Sequence, residues 1–376
     1  MQRIRAIDIL RGAIMVLMAI DHVRVYSGMP AGGTEPGIFF TRWVTNFSAP
    51  GFAFFAGTGA FLYGEKLQNK NLLSRYLLIR GLLLVALELT LIRFVWMFNF
   101  NYSAFMLAGV IWMLGWCMVI MAAFVRMNAV VVGITGIAII SFQQIFHYVP
   151  KIFPASAQQA VGQIWAFFYP SGFEQKHISI LYVLIPWIGV MASGYGFGKI
   201  IMMPPDKRKK IYLTIGLSAI VIFLIAGSIL ILSQPAPANA APFILGLLNQ
   251  QKYPASQLFL LMTLGPLIAL IPFAEKAQGW LANALSLFGK VPFFFYLSHI
   301  LLIHISALVI NFIREGSMHQ DWYNTAPFTW IPEESRWGLP LLYLVFIIDL
   351  ALLYFLCRWY ADYKFKHPEK KWLKYI

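Results

Sequence analysis

The residues best suited to chemistry crowd into one stretch, "RAIDILRGAIMVLMAIDHVRVYSG" at 5–28. Asp8, Arg11, Asp21, His22 and Arg24 stand there among isoleucines, leucines and methionines. Arg11 and His22 are eleven positions apart, which on an α-helix returns to within ~20° of the same face, roughly 16 Å further along the axis. Asp8 falls on that face too and can pair with Arg11 as an i,i+3 neighbour. Met15 and Met18 continue the stripe. A guanidinium grips phosphate oxygens, and an imidazole exchanges protons near neutral pH. One helix face thus joins an anion-binding group to an acid–base or nucleophilic group. Asp21 is rotated from His22 and needs help from another helix to orient it. Arg24 is expected to snorkel to the nearer surface.

Two further stretches carry ionisable groups through apolar surroundings. "SRYLLIRGLLLVALELTLIRF" places Arg75 and Arg80 at one end, Glu88 in the middle and Arg93 at the other end. Arg75 and Arg80 read either as topology anchors or as a site for an anionic ligand. Glu88 is expected to pair with a basic group. "LSLFGKVPFFFYLSHILLIHISALVI" holds Lys290, His299 and His304. The two histidines lie about 140° apart on a helix, so one face cannot present both. His299, beside Pro292 and Ser298, is the better candidate. His147 and His177 flank a long loop and read either as acid–base groups or as ordinary exposed histidines. Asp349 reads as a helix–helix hydrogen-bond partner. No histidine pair has i,i+4 spacing and the two cysteines lie far from both histidine clusters, so no metal is expected. No Gly-x-Ser-x-Gly elbow occurs.

The elements that must position these groups are membrane helices. The chain has 376 residues, 60% hydrophobic and 12% charged. Apolar runs of about 20 residues recur, each long enough for a hydrocarbon core of ~30 Å. The expected fold is an all-α polytopic bundle forming a single domain over 1–376. It has about ten spans: 7–26, 39–63, 76–98, 104–125, 128–147, 178–202, 211–233, 256–275, 285–311 and 338–358. The first lacks a small-residue cleavage site and a short apolar core, so it is not expected to be a removable leader. With both termini placed in the cytoplasm, 21 of the 29 Lys and Arg fall on the inner side. The net charge of +14 is therefore read as topology rather than nucleic-acid binding. Three outer loops are long, 148–177, 234–255 and 312–337, and the first contains a possible amphipathic helix, "ASAQQAVGQIWAFFYP". Long loops tend to carry binding groups, so an acceptor is expected from outside. Gly51, Gly57, Gly59, Gly194 and Gly198 fall where helices should approach closely.

These stretches, with "TRWVTNFSAPGFAFFAGTGAFL", "LYVLIPWIGVMASGYGFG" and "YPASQLFLLMTLGPLIAL", look like the bacterial branch of the heparan-alpha-glucosaminide N-acetyltransferase family. The resemblance runs in order along nearly the whole chain. It implies a transmembrane acyltransferase that takes an acyl group, most simply acetyl, from cytoplasmic acyl-coenzyme A. The acyl group goes to an extracytoplasmic sugar amine or hydroxyl, and the protein sits in a cell membrane such as a bacterial inner membrane. The pattern of Arg, ten residues, then His is similar to one in related glycan O-acyltransferases; here it is Arg11 and His22. The animal branch closes its first span with an asparagine and has a histidine in the following loop. Here Asp21 replaces that asparagine and no histidine occurs between His22 and His147, so a heparan substrate is not carried over. On this reading coenzyme A phosphates bind among Arg75, Arg80, Arg5 and Lys290. His22 is base or nucleophile, Asp21 or Ser48 orients it, and His299 or Asn46 stabilises the oxyanion. Partners are a glycan acceptor and membrane lipid, with a homodimer left open. A proton-coupled transporter or flippase of an envelope precursor is the rival, using Asp21, Glu88, His22 and His299 as a proton path.

Overall fold

A computed structural model describes residues 4–32, 35–170, 172, 178–233, 235 and 242–375. Arg3, Lys176 and His177 lie outside the described residues. The chain is a helical bundle. Its helices are α1 (Arg5–Tyr26), α2 (Pro36–Trp43), α3 (Ser48–Leu67), α4 (Lys70–Leu87), α5 (Arg93–Met97), α6 (Val110–Phe124), α7 (Ala129–Ser141) and α8 (Ala155–Trp165). They continue with α9 (Leu184–Ile201), α10 (Pro205–Leu232), α11 (Phe243–Leu248), α12 (Gln257–Lys276), α13 (Gly279–Lys290), α14 (Pro292–Glu315) and α15 (Leu339–Lys366). A short parallel pair, β1 (Met106–Ala108) and β2 (Ile178–Ile180), joins Leu107 to Ser179.

Among the described residues, five helices are long and apolar enough to cross a bilayer: α9, α10, α12, α14 and α15. Helix α7 and the 143–152 turn make a sixth if their 74° bend is one broken span. Several expected spans are subdivided. The stretch 285–311 breaks at Val291, because Pro292 has no amide hydrogen to continue α13 and instead opens α14. The stretch 104–125 begins with β1, and only Val110–Phe124 is helical.

Local signals set the helix ends. Asn69 accepts from the amides of Asn71 and Leu72 at 3.0 Å and starts α4. Ser256 accepts from Phe259 at 3.1 Å and starts α12. Glu88 opens a π-helical turn over Glu88–Ile92 inside the α4–α5 stretch. That turn brings its carboxylate beside Gly109 at the N-terminus of α6, where Glu88 Oε2 is buried without a hydrogen-bond partner. The carboxylate thus lies beside a helix start, whose dipole favours negative charge, rather than beside the cation the sequence suggested. Gly109 is required there, since a Cβ would lie 2.2 Å from Glu88 Oε1.

Helix α1 is central and packs against α13, α12, α14 and α3. Helix α9 packs closely on α3 and α7. Gly57 and Gly194 allow this, since a Cβ on either would lie 1.9 or 2.0 Å from a backbone oxygen of the opposite helix. The expectation of close packing at these glycines holds. Asp349 accepts from Ser306 at 2.8 Å and ties α15 to α14, as its sequence context suggested.

Candidate functional site

The polar face of α1 looks into two cavities, one towards each end. The Arg11 cavity has a volume of about 480 Å³ and the His22 cavity about 470 Å³. Both fall in the range typical of small-molecule sites. Met18, Phe52 and Tyr296 line both, so side chains alone separate them.

In the Arg11 cavity, Asp8 and Arg11 from α1 face Tyr63 and Lys66 from α3 and Tyr76 and Arg80 from α4. Arg11 donates through Nη2 to the carbonyl of Phe55. Arg80 Nη1 donates to the Tyr76 hydroxyl at 2.6 Å, while its Nε is buried without a hydrogen-bond partner. Of the four basic residues expected to hold donor phosphates, Arg80 alone is on the wall. Arg75 is five residues away on α4, about 140° round the helix, and is exposed. Arg5 is bonded to Asn283 Oδ1 at 2.7 Å on the α13 side, and Lys290 is exposed at the end of α13. Neither lines the cavity.

The His22 cavity is built by α1, the 96–110 segment and the loops that lead to α9, α12 and α15. Its polar wall includes Asp21, His22, Arg24, Thr45, Ser48, Trp96, Tyr182, Lys252, Tyr253 and Thr329. The long loops contribute Lys252, Tyr253 and Thr329 to this wall. Asp21 accepts from Arg24 Nε at 2.7 Å, and Arg24 Nη1 donates to the Met29 carbonyl at 2.7 Å. Arg24 is only 7% exposed. It is therefore a buried partner for Asp21 rather than a snorkelling anchor, because i,i+3 spacing puts a carboxylate within reach. Asp21 has its hydrogen bond to Arg24, not to His22. Ser48 donates to the Ile14 carbonyl at 3.0 Å and does not orient the imidazole. Asn46 is buried and lines neither cavity, whereas its neighbour Thr45 does.

The partner of His22 is His299. His22 Nδ1 lies 2.6 Å from His299 Nε2, and the rings are nearly parallel at 17°. His299 Nδ1 lies 3.0 Å from the carbonyl of Phe295. A carbonyl only accepts, so the Nδ1 proton belongs to His299 and, in the neutral ring, Nε2 holds the lone pair. His22 must then donate from Nδ1, which leaves the lone pair of neutral His22 on Nε2. His299 is fully buried and lines neither cavity. With its Nε2 accepting from His22, it has no proton to offer an oxyanion. It fixes the tautomer and direction of His22 instead, as a carboxylate or carbonyl does for many functional histidines.

Trp96 packs edge-on against His22 at 4.9 Å, and its position is fixed by a 2.6 Å hydrogen bond from Tyr26 to its carbonyl. His304 points the other way. Its Nδ1 bonds the Val95 carbonyl at 3.1 Å and its ring stacks on Phe98 at 3.8 Å. The two histidines of α14 thus do face different surroundings. Beyond His304, Tyr323 accepts from Asn311 Nδ2 at 2.9 Å, and burial pushes its phenol up to about 12. Arg93 is also buried, bonded to the carbonyls of Asn99, Asn101 and Phe105, and shapes the loop before β1. His147 is exposed, bonded to the Pro170 carbonyl at 3.0 Å, and is on neither cavity wall.

A family model described as heparan-alpha-glucosaminide N-acetyltransferase, catalytic, matches residues 3–235. The chain belongs to this family. No curated protein sequence matches it. With its apolar helices, this N-acetyltransferase family member is a multi-pass membrane protein. The matched region supplies Arg11, Arg80 and His22, whereas Lys252, Tyr296 and His299 come from the remainder of the chain. Tyr296, three residues before His299, was open to the same helical-face argument. Lys66 carried no signal beyond its charge, and Lys252 and Tyr182 none that sets them apart from other loop residues.

Proposed function

We propose that the protein moves an acetyl group from cytoplasmic acetyl-coenzyme A to an amine or hydroxyl of an extracytoplasmic sugar. The observation that carries this reading is the pair of back-to-back cavities parted by Met18, Phe52 and Tyr296, with Arg11 and Arg80 in one and His22 in the other. The Arg11 cavity opens on the side rich in Lys and Arg, which is the cytoplasmic side, with both termini there and about ten membrane-crossing segments in all. Coenzyme A is too anionic to cross. Its phosphates stay near Arg80 and Lys66, and the thioester reaches Tyr296.

An acceptor in the His22 cavity places its nucleophilic N–H or O–H against His22 Nε2. As that nitrogen takes the proton, the acceptor atom bonds to the thioester carbonyl carbon. The carbonyl oxygen gains negative charge beside the Tyr296 hydroxyl, the polar group common to both cavities. The carbon–sulfur bond then breaks, and the thiolate recovers the proton from the His22 imidazolium. Products are coenzyme A and an acetylated acceptor. His299 positions His22 throughout. No metal enters this chemistry.

The test uses purified protein, acetyl-coenzyme A and glucosamine as the acceptor probe, with release of the coenzyme A thiol as readout. His22→Ala is expected to abolish acceptor-dependent release and to leave donor binding intact. Turnover of the variant at the wild-type rate would remove His22 from the reaction.

A further inference from the structure

The Arg11 cavity accommodates an acyl-pantetheine arm, so a nucleotide attached to that arm must lie at the cavity mouth. A segment that belongs to neither cavity wall packs against one wall residue, Tyr76. After α15, His367 bonds the Tyr363 carbonyl at 2.9 Å and Lys370 Nζ bonds the Tyr363 hydroxyl at 2.5 Å. The chain then makes a 3-10 turn over Lys371–Lys374 and crosses to α4. Leu373 is buried and anchors the crossing. The Tyr76 hydroxyl donates to the Lys374 carbonyl at 3.2 Å. The Tyr76 and Tyr375 rings are stacked with centres 5.4 Å apart and planes 27° apart, and the Tyr63 ring lies tilted against Tyr76 at 4.6 Å.

The result is a row of three aromatic rings running out of the cavity, two of them on its wall. Lys66 and Arg80 lie beside the row on the wall, and the Lys374 ammonium lies over the Tyr375 ring, 4.8 Å from its centre. Arg80 Nε is buried with no protein acceptor. The side chain of Lys374 is exposed and Tyr375 is partly exposed. Aromatic faces with adjacent cations suit a base and its phosphates.

We propose that residues 371–375 form a nucleotide-binding strap: Lys374 swings off the outward face of Tyr375 to hold the donor's phosphates with Arg80, and the donor's adenine stacks on the face it vacates. The 5.4 Å between the Tyr76 and Tyr375 rings leaves no room for a third ring between them, so the outward face is the one used. This proposal rests on the acetyl-coenzyme A donor proposed above, and it adds Lys374 and Tyr375, outside the matched family region, to Arg80 within it as the groups that meet the nucleotide end of that donor. The strap takes the place of Arg75, Arg5 and Lys290 as the phosphate-binding group.

The test compares two donors, acetyl-coenzyme A and S-acetyl-pantetheine, which has the same thioester and no nucleotide. With Lys374→Ala and Tyr375→Ala combined, KM for acetyl-coenzyme A should rise about tenfold, the scale of one lost stacking contact. Its kcat, and both constants for S-acetyl-pantetheine, should stay at wild-type values. An equal loss with both donors would make the strap a structural clamp and overturn the proposal, as would an unchanged KM for acetyl-coenzyme A. Equilibrium binding of coenzyme A separates this from the reaction itself. Binding weakened about tenfold by the double substitution supports the strap even where no acetyl transfer is seen, and binding that does not weaken overturns it.

Discussion

Replacing His299 with alanine probes the geometry on which the chemistry turns. The substitution removes the acceptor 2.6 Å from His22 Nδ1 and leaves that N–H in a cavity with no replacement. An unsatisfied buried donor costs about 1–3 kcal/mol. Every ~1.4 kcal/mol is a factor of ten, so kcat should fall roughly 5- to 150-fold. The mechanism of the loss is tautomeric: without His299 the His22 proton can move to Nε2, which blocks the lone pair that must face the acceptor. Because His299 lines neither cavity, KM for acetyl-coenzyme A should not change. His299→Gln supplies a side-chain carbonyl in place of Nε2 and should recover part of kcat. The assay is steady-state release of coenzyme A thiol with donor varied at fixed acceptor. A His299→Ala variant with wild-type kcat would refute the reasoning. So would a loss in which KM rises as much as kcat falls, since that describes a disturbed fold rather than a misdirected imidazole.

Three other outcomes are expected. Arg11→Ala and Arg80→Ala should each weaken coenzyme A binding in equilibrium titration, whereas Arg75→Ala should leave affinity within twofold or so, because its side chain is exposed off the cavity. Tyr296→Phe should lower kcat about 100-fold, the scale for loss of one oxyanion donor, with donor affinity retained. Gly109→Ala should lower the melting temperature, because the added methyl would lie 2.2 Å from Glu88 Oε1 and push the buried carboxylate away from the start of α6; an unshifted thermal transition would contradict that account of Glu88.

How far the sequence reached depends on whether two groups share a helix. Arg11 and His22 share one, so the 100° step of the α-helix suffices to put them on a common face, and that face does look into both cavities. His22 and His299 are 277 residues apart, and no periodicity links them; only the packing of α14 beside α1 does. The same limit governs Glu88. A carboxylate among leucines implies a partner, yet the partner is a helix start 21 residues on, which has no side-chain signature beyond Gly109. Arg24 shows the opposite case. Its i,i+3 relation to Asp21 was legible, but the apolar context favoured a surface-seeking arginine over a buried ion pair. Charge counting suggested an inner basic surface and could not say that Arg80 turns inward while Arg5, Arg75 and Lys290 turn away. Spans were legible as apolar runs, whereas the break at Val291 depends on one proline and α6 starts at Gly109 without a side-chain cap.

The central claim, that acetyl passes between two cavities on opposite sides of a membrane with His22 on the receiving side, is tested most directly in sealed proteoliposomes. Radiolabelled acetyl-coenzyme A is supplied on the face carrying Arg80, and glucosamine is trapped in the other compartment. The prediction is labelled N-acetylglucosamine in the acceptor compartment, no donor crossing with it, and none of that product with His22→Ala. Product confined to the donor side, or product formed undiminished by His22→Ala, would contradict the account.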